Sequence, residues 1–169
     1  MAGEKRYKIV VFGSFGAGKT TLIQTLDPES KHVETACAGG TTTIALDFGR
    51  IQVNGNHIHI FGTPGQERFE FAREIIGTGM DGAILLIDAT SAVDDFIRHL
   101  HNSLTVSGIN FVIFLNKCDC MGAQPALIEK EFRTSVIRKV SAKDRKQSLE
   151  AVCTFAQTLQ PHQKGNTHS

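Results

Sequence analysis

The stretch that most limits what this chain can fold into is Gly13-Ser14-Phe15-Gly16-Ala17-Gly18-Lys19-Thr20. Before it lies a short apolar, β-branched run at residues 7–12 that reads as a buried strand. After it, residues 20–26 read as a helix stopped by Asp27-Pro28. Glycines between a strand and a helix let the backbone turn so that successive N–H groups point inward, toward anionic oxygens. The N-terminus of the following helix adds its positive end. Every fixed position of the phosphate-loop pattern GxxxxGK[ST] is met, which puts the charge of Lys19 on the β/γ-phosphates and makes the Thr20 hydroxyl a ligand for Mg²⁺. A glycine-rich turn that binds nothing is the bland alternative, and the strand–loop–helix setting argues against it.

The rest of the chain alternates. Strands are expected at 43–53, 57–61, 82–87, 111–115 and 135–140, and helices at 92–104, 125–132 and 144–159. Asn54-Gly55 between the first two of these strands is a strong hairpin signal. Residues 29–40 have little periodicity and end in Gly39-Gly40, so they read as a mobile loop. In the last helix Leu149, Val152, Cys153, Ala156 and Leu159 recur at helical spacing and predict one buried stripe. This is the α/β class: a P-loop fold with a mainly parallel six-stranded sheet, one antiparallel edge strand and helices on both faces. Residues 1–160 are expected to form one nucleotide-binding domain and residues 161–169 a disordered polar tail. Ligands of such sheets sit at the carboxyl ends of the strands.

Composition excludes several classes. The 169 residues are 41% hydrophobic and 21% charged, with a net charge of +1. That balance argues against nucleic-acid binding or membrane attachment driven by net charge. No apolar run approaches the about 20 residues of a membrane span. The N-terminus shows no signal-peptide core, Gly3 is one place late for a myristoyl acceptor, and the tail has no prenylation cysteine. A cytoplasmic protein without its own lipid anchor is expected. Cys37, Cys118, Cys120 and Cys153 are scattered, which suits neither a disulfide framework nor a zinc site.

Asn116-Lys117-Cys118-Asp119 closes the strand at 111–115. A carboxylate in the plane of a purine accepts two hydrogen bonds from the ring N–H and exocyclic amine of guanine. Adenine lacks that pair, so a site with the acceptor buried rejects it. The stem of Lys117 can cover one face of the ring. Ser141-Ala142-Lys143, just after the last strand, can offer backbone N–H groups to the guanine carbonyl.

GSFGAGKT, TTTIALDF, TPGQERF, NKCD and SAK, in that order, resemble the Ras-like small GTPases, in the Rab-like arm and especially its prokaryotic relatives. The resemblance spans nearly the whole chain and implies a GTP/GDP switch with two mobile segments. It implies that Thr21 joins the nucleotide-binding set of the phosphate loop. It also implies that Thr43, with Thr42 as the alternative, binds Mg²⁺ through its hydroxyl and the γ-phosphate through its N–H. Gly65 matches the second-switch glycine that senses the γ-phosphate, and Gln66 the glutamine that orients the attacking water, so Gln66 and Lys19 are the catalytic candidates. Relatives of this kind imply an activator of the roadblock-domain type and effectors at the switch surfaces, where Phe69, Phe71, Ile75 and Ile76 are the apolar candidates. Arg50, Arg68 and Arg73 are candidates for an arginine finger.

One position departs from the pattern. Gly62 stands where the family has an aspartate that holds Mg²⁺ through its water shell. Losing such an acid typically weakens metal binding about 10–100-fold rather than abolishing it. Asp88, at the end of the strand from Gly82, is the first candidate to replace it, and Asp47 the weaker one. The competing functional readings are a guanine-nucleotide scaffold with negligible hydrolysis and an ATP-using P-loop kinase. His57 and His59 alternate with Ile58 and Ile60 and read as one face of a strand.

Overall fold

In the computed structural model, residues 3–36, 43–63 and 79–160 are described; of 33–36 and 43–45 only the backbone is. The expected tail at 161–169 and the second-switch residues 64–78 lie outside them.

The chain opens with β1 (Arg6–Phe12), whose apolar residues alternate between the two faces of the sheet. Helix α1 (Lys19–Leu26) follows the glycine loop and ends at Asp27, which is extended. Then come three strands in succession, β2 (Lys31–Ala36), β3 (Thr43–Val53) and β4 (Asn56–Gly62). The turn between β3 and β4 has Asn54 at φ 50° and Gly55 at φ 77°, the pair of left-handed residues that a tight hairpin turn requires. Beyond residue 79 the alternation resumes with β5 (Gly82–Asp88), α2 (Asp95–Ser107), β6 (Phe111–Asn116), α3 (Pro125–Glu131), β7 (Ile137–Lys139) and α4 (Arg145–Ala156).

These strands form a seven-stranded sheet in the order β2-β3-β4-β1-β5-β6-β7. All pairings from β4 to β7 are parallel, and β3 is antiparallel to both β2 and β4. The α/β class with helices on both faces is as expected. The strand count differs, because Lys31–Ala36, read as part of a loop, pairs with β3 along its whole length. Backbone hydrogen bonds to one neighbour hold such an edge strand without the apolar alternation by which a sequence announces itself.

Two apolar layers cover the sheet. On one face Ile9, Val11, Ile84, Leu86, Val112 and Phe114 pack under α1 and α4. On the other, Val10, Phe12, Leu85, Ile87, Ile113 and Leu115 pack under α2 and α3. Ile58 and Ile60 of β4 are buried, whereas His57 and His59 are partly exposed, matching the expected faces. Of the expected stripe, Val152, Ala156 and Leu159 are buried, Leu149 and Cys153 only partly, and Ser148, Ala151 and Phe155 are buried beside them. No helix of the described residues is long and apolar enough to cross a membrane.

Candidate nucleotide site

The loop between β1 and α1 is held by its carbonyls. Lys19 Nζ donates to Gly13 O at 2.6 Å and to Ser14 O at 2.9 Å. Lys117 Nζ donates to Gly16 O at 3.0 Å, and Asn116 Nδ2 to Ala17 O at 3.0 Å. In a trans peptide the C=O and the following N–H point opposite ways, so donors gathered on the carbonyl side turn the loop's amides away from them. Gly18, at φ 107°, caps α1 with no side-chain bond to its first turn, which leaves N–H groups at the helix start open to an anion. A Cβ at Gly18 would stand 2.5 Å from Asn116 Nδ2, so only glycine fits there. Burial pushes the Lys19 ammonium down to a pKa of about 8, with the Asp47 carboxylate pulling the other way.

The base-side residues stand at the ends of β6 and β7. Asn116 is buried; besides its bond to Ala17, its Oδ1 accepts from the N–H of Ala142 at 3.0 Å. The amide thus ties the phosphate loop to the loop before α4. The Ser141 N–H donates to Gln147 Oε1 at 3.1 Å, so the N–H groups of Ser141 and Ala142, read as partners of a guanine carbonyl, both have protein partners here. Ser148 Oγ, fully buried in α4, donates to Ser141 O at 3.0 Å and anchors the same loop. Lys117 takes a left-handed φ of 63° and bonds Asp88 Oδ2 at 2.8 Å as well as Gly16. Burial alone would raise the Asp88 carboxyl, but hydrogen bonds from Lys117 and Thr90 prevail and hold it below the ordinary carboxylate value. Asp88, expected first as a substitute metal acid, is therefore committed to Lys117.

At the opposite end of the loop the Thr20 hydroxyl donates to Asp47 Oδ2 at 2.6 Å. Asp47 Oδ1 meets His32 Nδ1 of β2 at 3.1 Å. Thr43 begins β3 and pairs through its backbone with Ala36; its side chain is not among those described. Gly65, Gln66, Arg68 and Arg73 and the apolar candidates from Phe69 to Ile76 lie outside the described residues. The Arg50 guanidinium lies 5.9 Å from the ring of Phe48.

These groups surround a pocket of about 710 Å³, within the about 300–1,000 Å³ of ordinary small-molecule sites. Phe15, Gly16, Gly18, Lys19, Thr20 and Thr21 line its phosphate side, and Asn116, Lys117, Asp119, Ser141 and Lys143 its far side. Gly13, Ser14, Ala17 and Ala142 are not among its lining residues. His32 and Thr63 also line the pocket and were not expected there. Thr63 is pinned by two bonds, from its N–H and its hydroxyl, to Val11 O. Nothing in an aperiodic segment points to His32; only the register of β2 on β3 brings it in.

The model of the elongation factor Tu GTP binding domain matches residues 4–163. An uncharacterized protein of Methanocaldococcus jannaschii is 39% identical over 112 residues, 66% of this chain and 70% of that protein. Translation initiation factor IF-2 of Clostridium botulinum is 32% identical over 129 residues, 76% of this chain but 18% of the factor. Elongation factor SelB of Methanococcus maripaludis, in complex with the GTP analogue GppNHp, shares the fold with a TM-score of 0.73 at 17% identity, covering 99% of this chain and 37% of that one. The G domain of the T. maritima FeoB iron transporter does so with a TM-score of 0.67 at 17% identity, covering 89% of this chain and 99% of that domain. The chain thus spans only a small part of the translation factors it matches. The resemblance drawn from the motifs holds at the level of a P-loop GTPase domain, of the translation-factor type rather than specifically Ras-like or Rab-like. The chain belongs to the family of the elongation factor Tu GTP binding domain.

Proposed function

We propose that this chain is a molecular switch that binds GTP and GDP and slowly hydrolyses GTP to GDP and phosphate. The observation that carries the reading is the pocket itself, in which a phosphate loop faces Asn116, Lys117 and Asp119 from a distant strand end. Asp119 accepts the guanine N–H and amine, and the Lys117 stem covers the ring. The loop amides and Lys19 take the charge that builds on the phosphate oxygens, and Gln66 orients the attacking water. Magnesium suits the donors present, since Thr20 and Asp47 offer hard oxygens; held by Thr20 and Thr43, it would neutralise the β- and γ-phosphates. Unaided turnover is expected on the order of 10⁻⁴ s⁻¹, the scale of Ras without its activator.

The finer reading follows the Ras-like, Rab-like pattern of TTTIALDF and TPGQERF. The switch segments change with the nucleotide and present effector surfaces, a roadblock-type protein acts as activator, and the setting is the cytoplasm. Residues 1–160 act as the G domain.

Titration with fluorescent GDP, GTP and ATP analogues, followed by single-turnover hydrolysis, tests this. Guanine nucleotides should bind and ATP should not, Asp119→Ala should lose the preference, and Gln66→Ala should slow hydrolysis. GTP that stays intact for hours in saturating Mg²⁺, with and without candidate activators, would leave a nucleotide-binding scaffold. ATP binding that survives Asp119→Ala would point to a kinase.

A further inference from the structure

The sheet register sets Asp47 of β3 directly opposite Gly62 of β4. Directly opposed residues of an antiparallel pair share one face, with Cβ atoms about 4.5–5.5 Å apart. Here a Cβ at Gly62 would lie 3.4 Å from the Asp47 Cβ and 3.7 Å from its Oδ2. The Asp47 carboxylate thus lies in van der Waals contact with the point from which a side chain at position 62 would begin.

We propose that Asp47 supplies the magnesium site with the carboxylate that Gly62 lacks. The proposal rests on the reading that the pocket holds a magnesium–guanine nucleotide. Three observations carry it. Asp47 Oδ2 accepts from the hydroxyl of Thr20, the loop's own metal ligand by motif, and a hydroxyl that donates its proton keeps its lone pairs for a cation. Asp47 Oδ1 is taken up by His32, which fixes the plane of the carboxylate, and Asp47 lines the pocket beside Thr20. Finally, among the described residues no lysine or arginine makes a contact ion pair with Asp47: its hydrogen-bond partners are a hydroxyl and an imidazole, Lys19 acts on it only through longer-range charge, and its side chain is 19% exposed. Asp88, the other acid near the loop, already has its cation in Lys117. The acid has moved across one strand pairing, and its place in space is kept.

The test is the release of a fluorescent GDP analogue from the full chain at graded free Mg²⁺. Wild type should release it slowly in Mg²⁺ and fast in EDTA. Asp47→Asn should raise the Mg²⁺ needed for half-maximal slowing by about 10–100-fold, the usual effect of losing such an acid, a change well beyond any in its affinity in EDTA. Returning the acid to its partner strand, in Asp47→Asn with Gly62→Asp, should recover most of the loss. Ile23→Val is included in that variant, because the Ile23 Cδ1 would stand 2.9 Å from the new Cβ. A wild-type Mg²⁺ requirement in Asp47→Asn overturns the proposal. So does an equal loss of affinity in Mg²⁺ and in EDTA, the mark of a merely structural role, and so does a returned acid that recovers nothing. If wild type itself fails to bind the analogue, or releases it at one rate with and without Mg²⁺, the nucleotide reading fails first.

Discussion

Asn116 holds two loops with one buried amide, giving a hydrogen bond to Ala17 O and accepting one from the Ala142 N–H. Asn116→Ala leaves both backbone groups buried without a partner, so it should destabilise the protein by about 1–3 kcal/mol. Urea unfolding of the nucleotide-free protein measures this, and nucleotide affinity should fall with it. Gly18→Ala should do similar damage from the other side, because its Cβ would collide with the same amide at a φ only glycine takes easily. The NKxD pattern was readable as a strand-end motif, and so was the position of Asp119. The role of Asn116 as a tie was not, because its partners lie 99 and 26 residues away and a spacing rule does not reach them. The nearness of Asp47 to Thr20 was unreadable for the same reason: it follows from how α1 packs beside β3, with the two residues 27 apart in sequence.

Helix α4 shows how a periodic stripe can be right at its centre and shifted at its margin. Apolar spacing favours Leu149 and Cys153, yet the helix turns Ser148 and Phe155 inward, since Phe155 fills the core and Ser148 bonds Ser141 O. Ser148→Ala should therefore cost about 0.5–1.5 kcal/mol of stability and speed GDP release, as seen by stopped-flow, by loosening the loop that carries Ser141 and Lys143. Helix α2 carries a pH-dependent contact. His101 lies against Phe132 and Phe111, and its Nε2 meets Ser135 Oγ at 2.7 Å. Burial lowers its pKa below the ordinary 6.5, against the pull of Glu131. The unfolded chain then takes up a proton before the folded one does, so stability is complete above pH 6.5 and is lost as pH falls toward the folded value. Urea midpoints of wild type and His101→Gln should diverge on that acid side, with the wild type falling more steeply. Among the elements, the long strand β3 and its hairpin were plain from Asn54-Gly55, and β2 was not, since an edge strand needs little from its side chains.

Across the molecule, β1, β5, β6 and β7 run parallel, and the segments after β1, β6 and β7 gather the pocket at one edge of the sheet. That edge was legible from the alternation of strand and helix signals; the full strand order, with β2 outermost, was not. A ligand that binds only the folded chain stabilises it by mass action, so GDP with Mg²⁺ at a hundredfold excess over its Kd should add about 2.7 kcal/mol, and ATP should add nothing. Differential scanning calorimetry at matched concentrations checks both. The hold on the phosphate loop bears on speed as well. With Gly13, Ser14, Gly16 and Ala17 carbonyls already tied to Lys19, Lys117 and Asn116, an arriving nucleotide meets a loop that has little ordering left to do. Its capture is then a matter of encounter, slowed in proportion to solvent viscosity, and differences among nucleotides arise in how long each one stays.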